Sequence, residues 1–247
     1  MLGWLTHVEM SHRHPLLGGF LADLAQRGRV ILFDKRGSGL SDRTQDAVSP
    51  ETRVADLVTV LDAAESQRPI VFGVSEGASI GALFAAEHPA RTRGLFAFGA
   101  TAKLLASDDY PHGQPASFIE HLTREVEENW GEPVFVDLET PSMKGDAEFG
   151  EWLATYMRSA ASPSAALEML LAHVALDIRP ALPRIACPTT IMHRAGDRVI
   201  PVDDGRWLAQ QIPGAELVVT EGVDHLPFVG DKSAVLHEID RLIARIG

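Results

Sequence analysis

The sequence predicts an α/β fold, a mostly parallel central sheet flanked by helices, with a helical cap over one end. Three observations predict it. Short apolar runs alternate with stretches of helical period along most of the 247 residues. Those runs are continuous, as in strands buried on both faces. Residues 103–183 break the rhythm, with helical patterns and loops but no convincing strand. Residues 1–102 and 184–247 are therefore expected to form one core, and 103–183 a cap inserted into it.

Each element has its own signal. Residues 30–33 (Val-Ile-Leu-Phe) are read as the first strand, ending at Asp34 and the turn Arg36-Gly37-Ser38-Gly39. Ser49-Pro50 is a favourable cap and first-turn pair, after which Val54, Leu57, Val58 and Leu61 recur at i, i+3, i+4 and i+7, an amphipathic helix. Residues 69–73 are a second strand, turning abruptly into a helix over 78–88 that Pro89 stops. Residues 95–98, 189–192 and 216–219 are read as strands. The last helix runs over 233–246, with Val235, Leu236, Ile239, Leu242 and Ile243 on its inner face. Within the insertion, 118–130, 149–157 and 165–176 have helical patterns. In a parallel α/β sheet the ligand crevice lies beyond the carboxyl ends of the strands, so the cap is expected to cover a site.

Composition narrows the function. Hydrophobic residues make up 45% and charged residues 23%, an ordinary globular balance with enough chain for a substantial core. With 22 basic against 34 acidic residues, the net charge of -12 and the lack of a basic run argue against nucleic acid and anionic membrane surfaces. Lysine supplies only four of the basic residues, a skew expected of a GC-rich bacterial genome. The single cysteine, Cys187, excludes an internal disulfide and a multi-cysteine metal site, and reads as a small buried filler. No signal peptide or membrane-length apolar segment is visible, so a cytoplasmic location is expected. His7, His12 and His14 cluster without a carboxylate or cysteine at metal-ligand spacing, and no metal is expected.

Chemistry concentrates at three strand ends. Gly73-Val74-Ser75-Glu76-Gly77 matches G-x-S-x-G between a predicted strand and a predicted helix. The glycines let strand and helix approach closely, and the helix N-terminus favours negative charge developing beside the serine. The bland alternative is a glycine-rich turn with an incidental serine. A nucleophilic serine needs a base, and the base an orienting acid. His225 follows the last predicted strand and Asp197 the one before it. Asp197 could instead serve only to cap the turn before Pro201. Asp203, Asp204 and Asp224 are rival acids, the first two read as caps of the helix carrying Trp207 and Leu208. Arg36-Gly37-Ser38-Gly39 lacks the lysine and glycine spacing of a phosphate cradle, so no nucleotide is expected.

These segments, together with Gly3-Trp4-Leu5-Thr6-His7-Val8-Glu9, the run from Phe33 through Asp34-Lys35-Arg36 to Asp42, and Asp109-Tyr110-Pro111, make the chain resemble the α/β-hydrolase superfamily. Within it the likeness is to the esterase-like branch found fused to adenylate or guanylate cyclase domains. It covers essentially the whole chain, more loosely in the cap. The resemblance implies a serine hydrolase of carboxylic esters, with Ser75 as nucleophile, His225 as base and then acid, and Asp197 as orienter. It implies an oxyanion hole from the backbone N–H groups of Trp4 and Glu76, and no cofactor. Serine at 75 separates the chain from the dehalogenase and epoxide-hydrolase branches, which need a carboxylate there. Perhydrolase and carbon–carbon hydrolase variants keep the serine. In the family, strands precede the Gly-Trp segment; here only Met1 and Leu2 do, so a sheet without the usual N-terminal strands is expected. A late start, a rearranged sheet or a partner chain would each account for this, and a homo-oligomer filling the gap is one expectation.

Substrate choice is assigned to the cap. Phe118, Trp130, Phe135, Phe149, Trp152, Tyr156, Met143, Met157 and Met169 offer apolar surface, most of it for packing. Trp130, Phe135, Trp152 and Tyr156 are the candidates for substrate contact. Short- to medium-chain esters, as small-molecule substrates, are expected. The alternative from another class is a non-catalytic ligand-binding or sensing domain.

Overall fold

Four of the five apolar runs become strands of one parallel sheet. The computed structural model describes residues 3–43 and 48–247; Met1 and Leu2, on which the N-terminal reading partly falls, lie outside the described residues. The elements in order are α1 (Val8–Ser11), α2 (Pro15–Ala25), α3 (Pro50–Ala63), β1 (Ile70–Val74), α4 (Glu76–Glu87), β2 (Gly94–Phe98), α5 (Ala116–Asn129), α6 (Val136–Glu139), α7 (Ala147–Ala160), α8 (Pro163–Ala175), β3 (Thr189–Arg194), α9 (Val202–Gln211), β4 (Glu216–Thr220) and α10 (Lys232–Ile246). The sheet order is β1-β2-β3-β4, every pairing parallel.

The two faces of the sheet are separated by side-chain alternation. On β2, Leu95 and Ala97 join one apolar cluster with Val54 and Leu57 of α3, Ile80 and Phe84 of α4, and Leu208 of α9. Phe96 and Phe98 face the other way, into a cluster with Leu17 and Phe20 of α2 and Val235, Ile239 and Leu242 of α10. Helices therefore cover both faces, as a parallel sheet requires. Helices α5 to α8 lie between β2 and β3, and their Leu122, Val126, Phe149, Leu153 and Met157 merge into the second cluster. Register sets the ends of the strands level: Val74 pairs with Phe98, Phe98 with Met192 and Met192 with Val218. The segments leaving the four strands therefore emerge at one edge.

The fifth run corrects the sequence reading. Residues 30–33 form no strand; Val30 is exposed and Ile31, Leu32 and Phe33 are only half-buried. Apolar character reports burial, whereas a strand also needs a neighbour to hydrogen-bond with, and periodicity is silent on that. Instead these residues and Pro69–Phe72 line a shared cleft of about 420 Å³.

Candidate active site

Ser75 sits on a turn that only a strained backbone can make. It has φ 54° and ψ -128°, in the left-handed region that non-glycine residues avoid. The turn is held by its N–H, which donates to the Phe98 carbonyl at 2.9 Å, and by helix α4, which starts at the next residue. Gly73 makes the turn sterically feasible, because a Cβ there would run into the Ala78 backbone.

His225 is reached from β4 and Asp197 from β3. His225 Nδ1 lies 2.7 Å from Asp197 Oδ2, both side chains being almost wholly buried. The other carboxylate oxygen, Oδ1, accepts the N–H of Val199 at 2.8 Å and of Ile200 at 3.1 Å. Asp197 is thus both turn cap and imidazole partner. The backbone N–H of His225 donates to the Glu139 carbonyl at 2.6 Å, and Gly99 leaves room for the ring: a Cβ there would stand 2.8 Å from His225 Cε1. His225 Nε2 is buried with no hydrogen-bond partner among the described residues. Burial alone would lower the imidazole pKa, but the Asp197 charge and hydrogen bond, helped by Glu139, raise it above its ordinary value. Burial pushes Asp197 upward, yet His225 and the backbone donors hold it below the usual carboxylate range.

The rival acids are engaged elsewhere. Asp224 accepts from the Ser142 N–H at 2.9 Å and hydroxyl at 2.8 Å, and stands 3.7 Å from Arg194. Asp203 and Asp204 lie in the first turn of α9 without capping it, which corrects the sequence reading. Asp203 pairs with Arg206 on the surface, and buried Asp204 accepts from Tyr110 and Thr101. His7 and His14 cap α1 and α2 through their ring nitrogens, each accepting a backbone N–H at 3.3 Å.

Two small cavities of about 70 Å³ and 40 Å³ meet at the serine, and Trp4, Ser75 and Glu139 line both. Trp152, Tyr156, Met157, His225 and Phe228 complete the first. Leu104, Phe118, Phe135, Leu170, His173 and Ile200 help close the second. Trp130 lies on neither wall; its ring meets Trp4 edge-on from behind at 6.3 Å. The Gly3–Trp4 turn abuts Ser75, since a Cβ on Gly3 would lie 3.9 Å from Ser75 Cβ. Neither the Trp4 nor the Glu76 N–H has a backbone acceptor among the described residues.

Three polar residues here have no clear sequence signal for their role. Glu139, on α6, is half-buried and lines both cavities; desolvation pushes its carboxyl up to about 6, with His225 opposing and Asp197 adding to the shift. His173, on α8, is held neutral by burial, its pKa lowered to about 4, and its Nε2 is unpartnered among the described residues. The Glu76 side chain turns back from the site to a buried ion pair with Lys35, with Arg53 3.6 Å from its other oxygen. Lys35 and Glu76 both lie in segments that the sequence singles out, but nothing in either segment announces that their side chains pair.

A model of the Alpha/beta hydrolase family matches residues 3–238. The pimeloyl-[acyl-carrier protein] methyl ester esterase of Chromobacterium violaceum is 27% identical over 92% of this chain and 90% of its own length. The protein of the same name from Stenotrophomonas maltophilia strain R551-3 is 29% identical over 96% of each chain. Among solved structures, a hydrolase from Oleispira antarctica superposes with a TM-score of 0.85 at 20% identity, covering 98% of this chain and 89% of that one. An esterase from a Rhodococcus species does so with a TM-score of 0.81 at 22% identity, covering 100% and 90%.

Proposed function

The chain belongs to the alpha/beta hydrolase family and is an enzyme of the esterase kind, and from that premise we propose that it hydrolyses short- to medium-chain carboxylic esters through Ser75, His225 and Asp197. One observation carries the proposal: a serine on a left-handed turn shares a cavity with an imidazole whose far nitrogen is fixed by a buried carboxylate. Ser75 Oγ attacks the ester carbonyl while His225 Nε2 takes its proton. The carbonyl oxygen, now an anion, is received by the N–H groups of Trp4 and Glu76, and the N-terminus of α4 favours the charge. The protonated His225 gives its proton to the departing alcohol. Water then repeats the sequence on the acyl-enzyme, with no cofactor involved.

The small cavities support short groups on either side of the scissile bond, and Phe135, Trp152 and Tyr156 support contact with them. The relatives' names favour a methyl ester, whose alcohol half is the smallest available. Of the resemblance to cyclase-associated esterases, only the esterase part enters this reading. No described helix is long and apolar enough to cross a membrane. The cytoplasmic location and the homo-oligomer expected from the sequence belong to the proposal too, and sedimentation velocity tests the latter.

The decisive experiment is hydrolysis of p-nitrophenyl acetate, butyrate and octanoate, with dimethyl pimelate beside them, by the protein and by Ser75→Ala. We expect turnover on the shorter esters to fall about a millionfold in the variant, with fluorophosphonate labelling lost as well. Equal rates in both proteins, or labelling that survives the substitution, would overturn the proposal.

A further inference from the structure

We propose that Lys35 is a positioning residue that aims one of the two oxyanion donors, by holding the Gly3–Trp4 peptide plane from behind. The inference rests on the serine-esterase reading above and names a residue which that reading does not use.

Lys35 Nζ donates to the Gly3 carbonyl at 2.5 Å and to the Glu76 carboxylate, with the lysine side chain only 2% exposed. The Gly3 carbonyl and the Trp4 N–H belong to one planar peptide group, and in a trans peptide they point in opposite directions. A donor gripping the oxygen therefore sets the direction of the N–H. The same contact polarises the peptide, making the N–H a better donor. At a glycine, whose backbone has the widest freedom, the plane could otherwise rotate.

The grip is anchored at both ends. Lys35 lies in a loop that clasps the segment after Trp4: its own N–H donates to Thr6 Oγ1 at 3.0 Å, Thr6 N–H to Ser38 Oγ at 2.8 Å, and Val8 N–H to Asp34 Oδ1 at 2.8 Å. On the far side Glu76 is the residue after the nucleophile, and its N–H is the other proposed donor. Lys35 thus bridges the segments carrying both donors through one ammonium. Arg53, 3.6 Å from the other Glu76 oxygen, keeps that carboxylate in place. Lys35 lines neither cavity at Ser75, so it acts through the peptide and touches no substrate.

The test compares the protein with Lys35→Met, and with Lys35→Met/Glu76→Gln, which leaves no unpaired Glu76 charge should the single variant not fold. Labelling of the unaltered protein by a fluorophosphonate comes first; without it the serine-esterase reading itself fails. With labelling established, kcat and KM for p-nitrophenyl butyrate and the inhibition constant of butylboronic acid are measured. The boronate forms a tetrahedral adduct with Ser75 and places an oxygen where the oxyanion would be. We expect kcat to drop about 10- to 100-fold and boronate affinity to weaken by the same factor, with KM within about twofold. A folded variant that keeps kcat and boronate affinity within about threefold would overturn the role of Lys35 and leave the esterase standing. So would a folded variant in which KM rises while boronate affinity holds.

Discussion

The Asp197 carboxylate is divided between two tasks: Oδ2 meets His225 Nδ1 at 2.7 Å, while Oδ1 takes the N–H groups of Val199 and Ile200. The turn therefore orients the acid, and the acid orients the imidazole. An asparagine at 197 would keep its oxygen on the two N–H donors, which leaves its NH₂ facing His225.

That donor would force His225 into the wrong tautomer. Asp197→Asn is expected to fold normally and to lose about 10⁴-fold in kcat. The residual activity should also show its acid limb at lower pH, because Asp197 is what lifts the His225 pKa against burial. A pH–rate profile beside a thermal melt checks both. An unshifted limb would show that Asp197 does not set the imidazole.

Gly73 is expected to tolerate no side chain. A methyl group there meets the Ala78 backbone at the first turn of α4, where neither partner is a flexible side-chain tip. Gly73→Ala should cost about 3 kcal/mol, lowering the melting temperature by roughly 6–12 °C for a chain of this size. Phosphonate labelling of Ser75 should slow in the same variant, since the turn moves with the helix.

Asp204 makes stability depend on pH. Its burial, opposed by hydrogen bonds from Tyr110 and Thr101, raises its carboxyl to about 7 in the folded protein, against an ordinary value near 3.8. The folded state therefore holds that proton more tightly than the unfolded one, and stability from this group is lost as pH rises from about 4 to about 7. Asp204→Asn can still accept from Tyr110 and Thr101, so its unfolding free energy at pH 8 should exceed the parent's by on the order of 2–4 kcal/mol. The gain should vanish at pH 4. Denaturation series at the two pH values measure the difference.

Most of the fold was legible because burial and periodicity coincide in it. β1 to β4 fall on apolar runs, and the helices on either face show their inner stripes. Ser75, Asp197 and His225 were readable for the same reason, each lying just after a strand. Residues 30–33 show the limit, since an apolar run says nothing about what borders it. Glu139 and His173 come from helices of the insertion between β2 and β3, whose placement is a tertiary matter, so no spacing announces them. The Lys35–Glu76 pair joins a loop to the first residue of α4, 41 positions along the chain, and neither residue signals the other. The Asp203 and Asp204 reading failed because helix position alone does not say whether a carboxylate turns to the backbone or to the core.

The left-handed Ser75 has an evolutionary consequence. Such a backbone conformation costs on the order of 1–3 kcal/mol for a side-chain-bearing residue, and glycine would relieve it. An inert descendant carrying glycine at 75 would thus be the sturdier protein. Selection for folding alone would not remove such a lineage and could even favour it. Within this family, robust expression and a high melting temperature are poor guides to whether a given copy still turns over its ester.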